Sequence, residues 1–219
     1  MNKDIDMKLL NRRLTLISTV TGLTLIAASS AAYAGSDKVL TKKIAVDNIK
    51  EFVIDAHVGT VKLSASNDNQ FHIYVKVSEK DGWAMFKSNP EDAKLKIDNT
   101  GDKLTVSLND DDFGEEWRIE VPQMDKIDAD LGVGEMTIKG LQANLSVDVG
   151  VGEVSVYSIA DSYATVKAES GVGAANVHSD SGKTNQNRSM VSEAVSWVGK
   201  GDYAISVEVG VGDASIKLN

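Results

Sequence analysis

The 219-residue sequence contains no cysteine, which excludes disulfide bonds, thiolate metal sites, a cysteine nucleophile and a lipoprotein anchor on an N-terminal cysteine. It also lacks the Gly-x-Ser-x-Gly motif of one large class of serine hydrolases. Neither the D-x-D-x-D-G ligand spacing nor the glycine-aspartate nonapeptide of calcium proteins is present. With no catalytic constellation in the chain, the sequence favours a non-enzymatic protein without a cofactor.

Long hydrophobic runs are also missing, apart from residues 14–28, which fall short of the ~20 apolar residues that a membrane-spanning helix needs. This run follows a basic segment and precedes a small-x-small cleavage site at residues 32–34. Residues 1–34 are therefore predicted to be a secretory signal peptide that is cut before Gly35. We expect the mature chain in the periplasm, at the cell surface or in the medium, and not spanning the membrane.

Basic residues are scarce relative to acidic ones, 23 against 32, so the net charge is −9. Removing residues 1–34 takes away four basic and two acidic residues and leaves a net charge of −11. A chain this acidic is repelled by nucleic acid and by anionic membrane surfaces. The expected partner is therefore an envelope protein or a glycan, with small cations as a further possibility.

Glycine is plentiful, with 18 residues, and many of them lie in a repeated Gly-Val-Gly segment. Four copies align without gaps, and a fifth fits with His57 in place of the first glycine. The central valines of the five copies are Val58, Val133, Val151, Val172 and Val211. Apolar or small residues recur six, four and two positions before each valine and three and five positions after it. This alternation with a change of parity predicts a strand with one buried face, bent at the glycine.

The second glycine of each copy is predicted to have a structural role in the turn, either at a positive φ or where neighbouring copies approach closely. These glycines are Gly59, Gly134, Gly152, Gly173 and Gly212. A unit of about 20 residues cannot bury its apolar face alone, so the copies are expected to stack on each other. The pattern predicts an all-β fold, a parallel β-solenoid or β-helix-like array, with an antiparallel β-sandwich as the alternative.

The mature chain is interpreted as one domain, residues 35–219. A hairpin-rich insertion occupies residues 65–122, and residues 123–219 carry the Gly-Val-Gly repeats. Within the repeats, residues 179–200 are polar and break the pattern, which predicts a loop or a cap over the end of the array.

Acidic residues occupy two outward positions of the repeat, one three residues before every valine and one two residues after three of the valines. In a stacked array these like charges would lie roughly 4.8 Å apart. Such columns could bind Ca²⁺ or a cationic partner. The alternative, which the missing calcium motif favours, is solvated charges or carboxylates that accept N–H bonds from the turn. The candidate metal ligands are Asp130, Asp148, Glu169, Glu135 and Glu153.

Two other groups have both a functional and a structural interpretation. The acidic cluster formed by residues 110–112 with Glu115 and Glu116 is interpreted as a surface turn rather than a metal site. Trp117 and Trp197 could form a sugar-binding platform, but packing against the core is the favoured interpretation.

Several residues of the chain resemble, in type and in order, the sequence pattern of a known family. They are Val121-Pro122, Ile127, Gly134, Gly140-Leu141, Arg188, Trp197, Gly201 and residues 209–213. Over about residues 50–219 the chain thus resembles the bacterial putative-adhesin domain family of exported and envelope proteins. The resemblance implies a right-handed β-solenoid-like fold and supplies no catalytic residue.

The predicted function is a non-enzymatic exported envelope or surface protein that presents a repetitive β-solenoid face for binding or adhesion. One alternative is a polysaccharide-active β-helix enzyme, which would use carboxylates with Ca²⁺. The other is a periplasmic accessory protein that senses envelope stress through a partner.

Overall fold

This computed structural model describes residues 37–79 and 89–219, so the predicted signal peptide lies outside the described residues. Within these ranges the chain forms thirteen strands and two 3-10 helices, Pro90–Asp92 and Ala160–Ser162. The strands are β1 (Lys38–Ala45), β2 (Glu51–Ala65), β3 (Gln70–Glu79), β4 (Leu95–Thr100), β5 (Lys103–Leu108), β6 (Phe113–Val121), β7 (Lys126–Lys139), β8 (Asn144–Ser158), β9 (Tyr163–Val172), β10 (Ala175–Ser179), β11 (Lys183–Arg188), β12 (Glu193–Val198) and β13 (Tyr203–Leu218). No helix in the described part is long and apolar enough to cross a bilayer. The all-β prediction is confirmed.

All thirteen strands belong to one open sheet that mixes parallel and antiparallel pairs. Its centre is a run of parallel strands in the order β2, β7, β8, β13 and β9, and β10 pairs with the second half of β13. Antiparallel strands frame this run, with β3 and β1 beyond β6 on one side and β12 and β11 beyond β9 on the other. Because the sheet is open and mixed, the right-handed solenoid and the sandwich alternative both stay predictions.

The five repeat copies lie on β2, β7, β8, β13 and the pair β9–β10, and their inward positions are the ones that the alternation predicts. In β8, Leu145, Val147 and Val149 are buried before the bend, and Val154 and Val156 are buried after it. Val149 and Val154, the buried residues on either side of the bend, are five positions apart. Because five is an odd number, the buried positions change there from odd-numbered to even-numbered residues. Each fully buried Val or Leu contributes about 1.5–3 kcal/mol, so these inward rows are the main source of stability.

The bend is built around glycines that touch the next strand. Gly152 has a φ of +148°, and a Cβ there would lie 1.7 Å from the carbonyl oxygen of Gly134. Gly150, the first glycine of the same copy, has no such φ, yet its Cβ would still lie 2.6 Å from the carbonyl oxygen of Gly132. Neighbouring bends therefore stack closely through bare backbone, and a side chain at the second glycine would also be conformationally strained.

The stacking order of the copies differs from their order along the chain. β13, the last strand, lies between β8 and β9 and is parallel to both. The chain reaches this slot after leaving β10 and forming the β11–β12 hairpin outside β9. Copies that follow one another along the chain are therefore not always neighbours, as β8 and β9 show. The physical reason is that all copies share one inward pattern, so the pattern does not distinguish which copy lies beside which.

Within the predicted hairpin-rich region, β4 and β5 form a hairpin, and Gly101 has a φ of +70° in the turn between them. Residues 179–200 are only partly a loop, because β11 and β12 form there and β12 pairs with β9 at the end of the parallel run. The structure buries Trp117 and Trp197, so the sugar platform is wrong and the packing interpretation holds.

Candidate functional site

The most unusual surface is the outer side of the bends, where the five central valines form one row. In spatial order the row is Val58, Val133, Val151, Val211 and Val172, each in register with the next. The last four are 47–50% exposed, and Val58 is half-buried. We call this row the valine ridge. Its residues are apolar without belonging to the core, which is not what an alternating strand alone predicts.

The glycines on both sides explain why the ridge stands exposed. At the bend, several consecutive residues lie on the outer side, as the exposed or half-buried stretch 132–135 of β7 shows. The residues next to each valine are glycines in four of the five copies, so no neighbouring side chain covers the valine. The ridge is therefore bordered by bare backbone and can be reached from both sides.

A row of acidic residues runs along one side of the ridge, three residues before each valine. In spatial order it consists of Asp55, Asp130, Asp148, Glu208 and Glu169. We call it the first acidic column. Of the candidate metal ligands on it, Asp130 and Asp148 are neighbours, whereas Glu208 separates Asp148 from Glu169.

On the other side of the ridge, a second acidic column lies two residues after the valines, with Glu135, Glu153 and Asp213 in register. The remaining candidate ligands, Glu135 and Glu153, are thus neighbours of each other but lie across the ridge from the first acidic column. Asp213 accepts a hydrogen bond of 2.8 Å from the backbone N–H of Ala174 in the adjacent copy. This one carboxylate stabilises the turn as the structural interpretation of the acids predicts.

The first acidic column carries largely uncompensated negative charge. Burial raises the pKa of Asp130 above its ordinary value, and repulsion from Asp148 and Asp55 raises it further. Lys167 pairs with Glu169 at 2.9 Å. Within residues 37–79 and 89–219, the side chains of Asp148 and Glu208 form no hydrogen bond and no ion pair, although Lys167 also attracts Glu208. A cation placed along this column would relieve the repulsion.

The first acidic column ends in a concave site of about 510 Å³. Its lining includes the carboxylates of Asp148, Glu208 and Glu169 and the polar side chains of Asn187, Ser189 and Ser192 near the β11–β12 turn. The lining carries four carboxylates, those of Asp148, Glu169, Glu193 and Glu208, and no basic side chain, and it also exposes apolar atoms, so its chemistry suits a cationic group on an apolar stem.

A buried glutamate lies at each end of the stacked bends. Glu193, with 1% of its side chain exposed, accepts hydrogen bonds from Arg188 Nη2 at 2.9 Å, from the N–H of Ala175 at 3.3 Å and from Gln186. The Gln186 bond is the main cause that lowers the pKa of Glu193, and Arg188 adds to the effect. Glu193 therefore binds the N–H of Ala175, which the last bend leaves without a neighbouring strand, and links it to two side chains of β11.

At the opposite end, Glu115 pairs in register with Gly59 and has 1% of its side chain exposed. Its Oε2 accepts a hydrogen bond of 2.5 Å from Trp117 Nε1, and its Oε1 lies 3.5 Å from His57 Nδ1. Burial raises the pKa of Glu115, although the Trp117 bond and His57 oppose the change.

Sequence reasoning assigned Glu115 to an acidic surface turn, which is wrong, and did not single out Glu193. Both errors had a signal against them. Glu115 alternates with the buried Phe113 and Trp117, and Glu193 alternates with the buried Val195 and Trp197. Each glutamate therefore occupies an inward position of its own strand.

Glu116 likewise lies on β6 rather than in a turn, so within the acidic cluster only residues 110–112 match the interpretation as a turn. Asp110, Asp111 and Asp112 bring one carboxylate oxygen each within 4.8 Å of the others. The N–H of Asp112 donates to Asp110 at 3.1 Å, which closes a local turn.

No protein-family model matches this chain, and no curated protein matches it. Among solved structures, a putative cell adhesion protein from Clostridium sporogenes is 18% identical, with a TM-score of 0.52 over 84% of this chain and 100% of that chain. A putative adhesin from Parabacteroides merdae is 13% identical over 84% and 98% of the two chains, and its TM-score of 0.22 carries no argument. The chain therefore shares its fold with a protein described as a putative cell adhesion protein.

Proposed function

We propose that this chain is a non-enzymatic, exported envelope or surface protein whose binding face is the bend edge, which we define as the valine ridge with its two acidic columns. In this proposal the five copies form a right-handed β-solenoid-like array framed by antiparallel strands. Export follows from the predicted signal peptide at residues 1–34.

The valine ridge is the observation that carries the proposal. Single exposed apolar residues are ordinary on soluble proteins, whereas contiguous apolar surface marks interaction sites. Four valines with about half of their area exposed stand in one unbroken row. The shared fold with a putative cell adhesion protein supports the same role.

The test compares two triple variants that remove similar apolar surface. Val133→Thr/Val151→Thr/Val211→Thr changes the ridge, and Val39→Thr/Ile159→Thr/Val198→Thr changes three other exposed β-branched residues outside the bend edge. Threonine keeps the branched shape, so both variants are expected to fold, and circular dichroism checks this.

The wild type and the two variants are each purified from the envelope or medium of the cells that express them and are coated on beads. The beads are mixed with those cells, and attached beads are counted. The ridge variant should lower attachment at least about tenfold, since each valine loses roughly 1 kcal/mol of apolar contact. The control variant should match the wild type. Equal attachment by all three proteins would contradict the proposal, and so would N-terminal sequencing that finds residues 1–34 on the exported chain.

A further inference from the structure

We propose that the bend edge binds a cationic amphipathic polypeptide segment, which lays a row of apolar side chains on the valine ridge and sets basic side chains against the two acidic columns. This inference rests on the proposed function and adds the chemistry of the partner.

The dimensions of the ridge suit a short peptide segment. Neighbouring strands lie about 4.8 Å apart, so five valines in register form a row about 19 Å long. A helix of about 13 residues spans that length at a rise of about 1.5 Å per residue. An amphipathic helix binds an apolar surface through one face, which leaves its two flanks to contact the acidic columns.

The charges on both sides of the ridge determine which side chains the partner carries on its flanks. Asp130, Asp148 and Glu208 follow one another on one side of the ridge, and Glu135, Glu153 and Asp213 follow one another on the other. Basic side chains on both flanks of an apolar row match this arrangement, whereas acidic flanks would be repelled from both sides.

The concave site gives the segment an anchor. Its volume of about 510 Å³ exceeds what one lysine or arginine side chain fills. The carboxylates of Asp148 and Glu208, which have no ion-pair partner, can accept charge-assisted hydrogen bonds, Glu169 is already paired with Lys167, and Asn187 and Ser189 in the same lining offer neutral acceptors. A basic residue at one end of the segment can therefore enter this site while the apolar row lies on the ridge.

Other partner classes fit this surface less well. An anionic membrane or a nucleic acid is repelled by the acidic columns. A neutral glycan is commonly bound on exposed aromatic rings, and the bend edge has none, because Trp117 and Trp197 are buried and the exposed Tyr157 lies outside the bend edge.

The test measures fluorescence anisotropy of a labelled Leu/Lys peptide of about 14 residues, with leucine on one helical face and lysine on both flanks. The full chain as exported should bind it, and binding should weaken as salt is added. A scrambled peptide of the same composition and a Leu/Glu peptide should bind at least about tenfold more weakly.

Four variants locate the binding site. The ridge variant Val133→Thr/Val151→Thr/Val211→Thr and the column variant Asp130→Asn/Asp148→Asn/Glu208→Gln should each weaken binding at least about tenfold. Their controls, Val39→Thr/Ile159→Thr/Val198→Thr and Asp102→Asn/Asp161→Asn/Asp202→Asn, remove similar apolar surface and equal charge elsewhere and should bind within about twofold of the wild type.

Three outcomes would overturn the inference. In the first, the scrambled peptide binds as well as the amphipathic one, which reduces the effect to net charge. In the second, ridge and column variants bind like the wild type. In the third, no peptide binds, while millimolar Ca²⁺ raises the melting temperature of the wild type but not of the column variant, which makes the columns a metal site. If the ridge variant still loses cell attachment in any of these cases, the proposed function stands and only the identity of the partner falls.

Discussion

At the scale of single residues, the glycines of the bend and the two end glutamates determine how the bends stack and how the stack ends. The glycines bring neighbouring backbones into contact, and this contact leaves the valines exposed between them. The glutamates lie at the two ends, where one side of a bend has no further copy to pair with. Substitutions at these positions measure separately how backbone strain, steric contact and buried charge affect the free energy of unfolding.

Replacement of Gly152 by alanine should lower the free energy of unfolding by about 3 kcal/mol or more, because the new Cβ is both strained at φ +148° and placed 1.7 Å from the oxygen of Gly134. Gly101→Ala is the matched control, since Gly101 has a φ of +70° with nothing within 4 Å of a Cβ. The control should lose only about 1 kcal/mol. Urea unfolding measures both, and equal losses would show that contact between copies is not what requires glycine.

Glu115 should make stability depend on pH. Burial raises its pKa above the ordinary value of 4.5, so the folded state holds this proton more tightly than the unfolded chain does. Stability from this group is therefore present at low pH and is lost as the pH rises from about 4.5 through the folded-state pKa.

Glu115→Gln should accordingly flatten the fall of the unfolding free energy with rising pH, measured by urea unfolding between acidic and neutral pH. Glu120→Gln, an exposed position on the same strand, serves as the control and should leave the slope unchanged. A wild-type slope that survives the Glu115 substitution would rule out this carboxyl as its source.

At the scale of elements, the β11–β12 hairpin closes one end of the parallel run. β12 pairs with β9, and Glu193 on β12 reaches the N–H of Ala175 at the start of β10. The hairpin thus covers the outer strand edge of β9, which would otherwise present unpaired backbone groups.

Glu193→Ala should therefore lower the thermal midpoint clearly, because it removes the acceptor for Arg188, Gln186 and the Ala175 N–H at once. Glu208→Ala is the control, since it removes an exposed carboxylate of the first acidic column and should leave the midpoint unchanged or slightly raised. Equal midpoints for the two variants would mean that the hairpin does not close the end of the array through Glu193.

At the scale of the whole molecule, the periodicity of the sequence predicts the buried rows but not their arrangement. Alternation around each valine identifies inward residues such as Val147 and Val154, because burial of one strand face requires a period of two. The position of β13 between β8 and β9 could not be predicted, since every copy offers the same inward surface.

The candidate site was predicted only in part, for the same kind of reason. The acidic positions are visible in the sequence because they recur at fixed offsets from the valines. The exposure of Val133 and Val151 is not visible, because a valine between alternating apolar residues is typical of a core position. It becomes apparent only when the glycine bend places consecutive residues on the outer side.

The continuous bend edge requires the strand order β8, β13, β9, and cross-linking tests this order most directly. The natural chain has no cysteine, so any disulfide belongs to the introduced pair. Val151→Cys/Val211→Cys joins neighbours in register at about 4.8 Å, within the Cα separation that a disulfide spans. Val151→Cys/Val172→Cys places its cysteines two strands apart, at about 9.6 Å, beyond the ~7 Å limit. Thiol titration after mild oxidation should find the first pair cross-linked and the second free, whereas the opposite result would contradict the stacking order on which the valine ridge and the first acidic column depend.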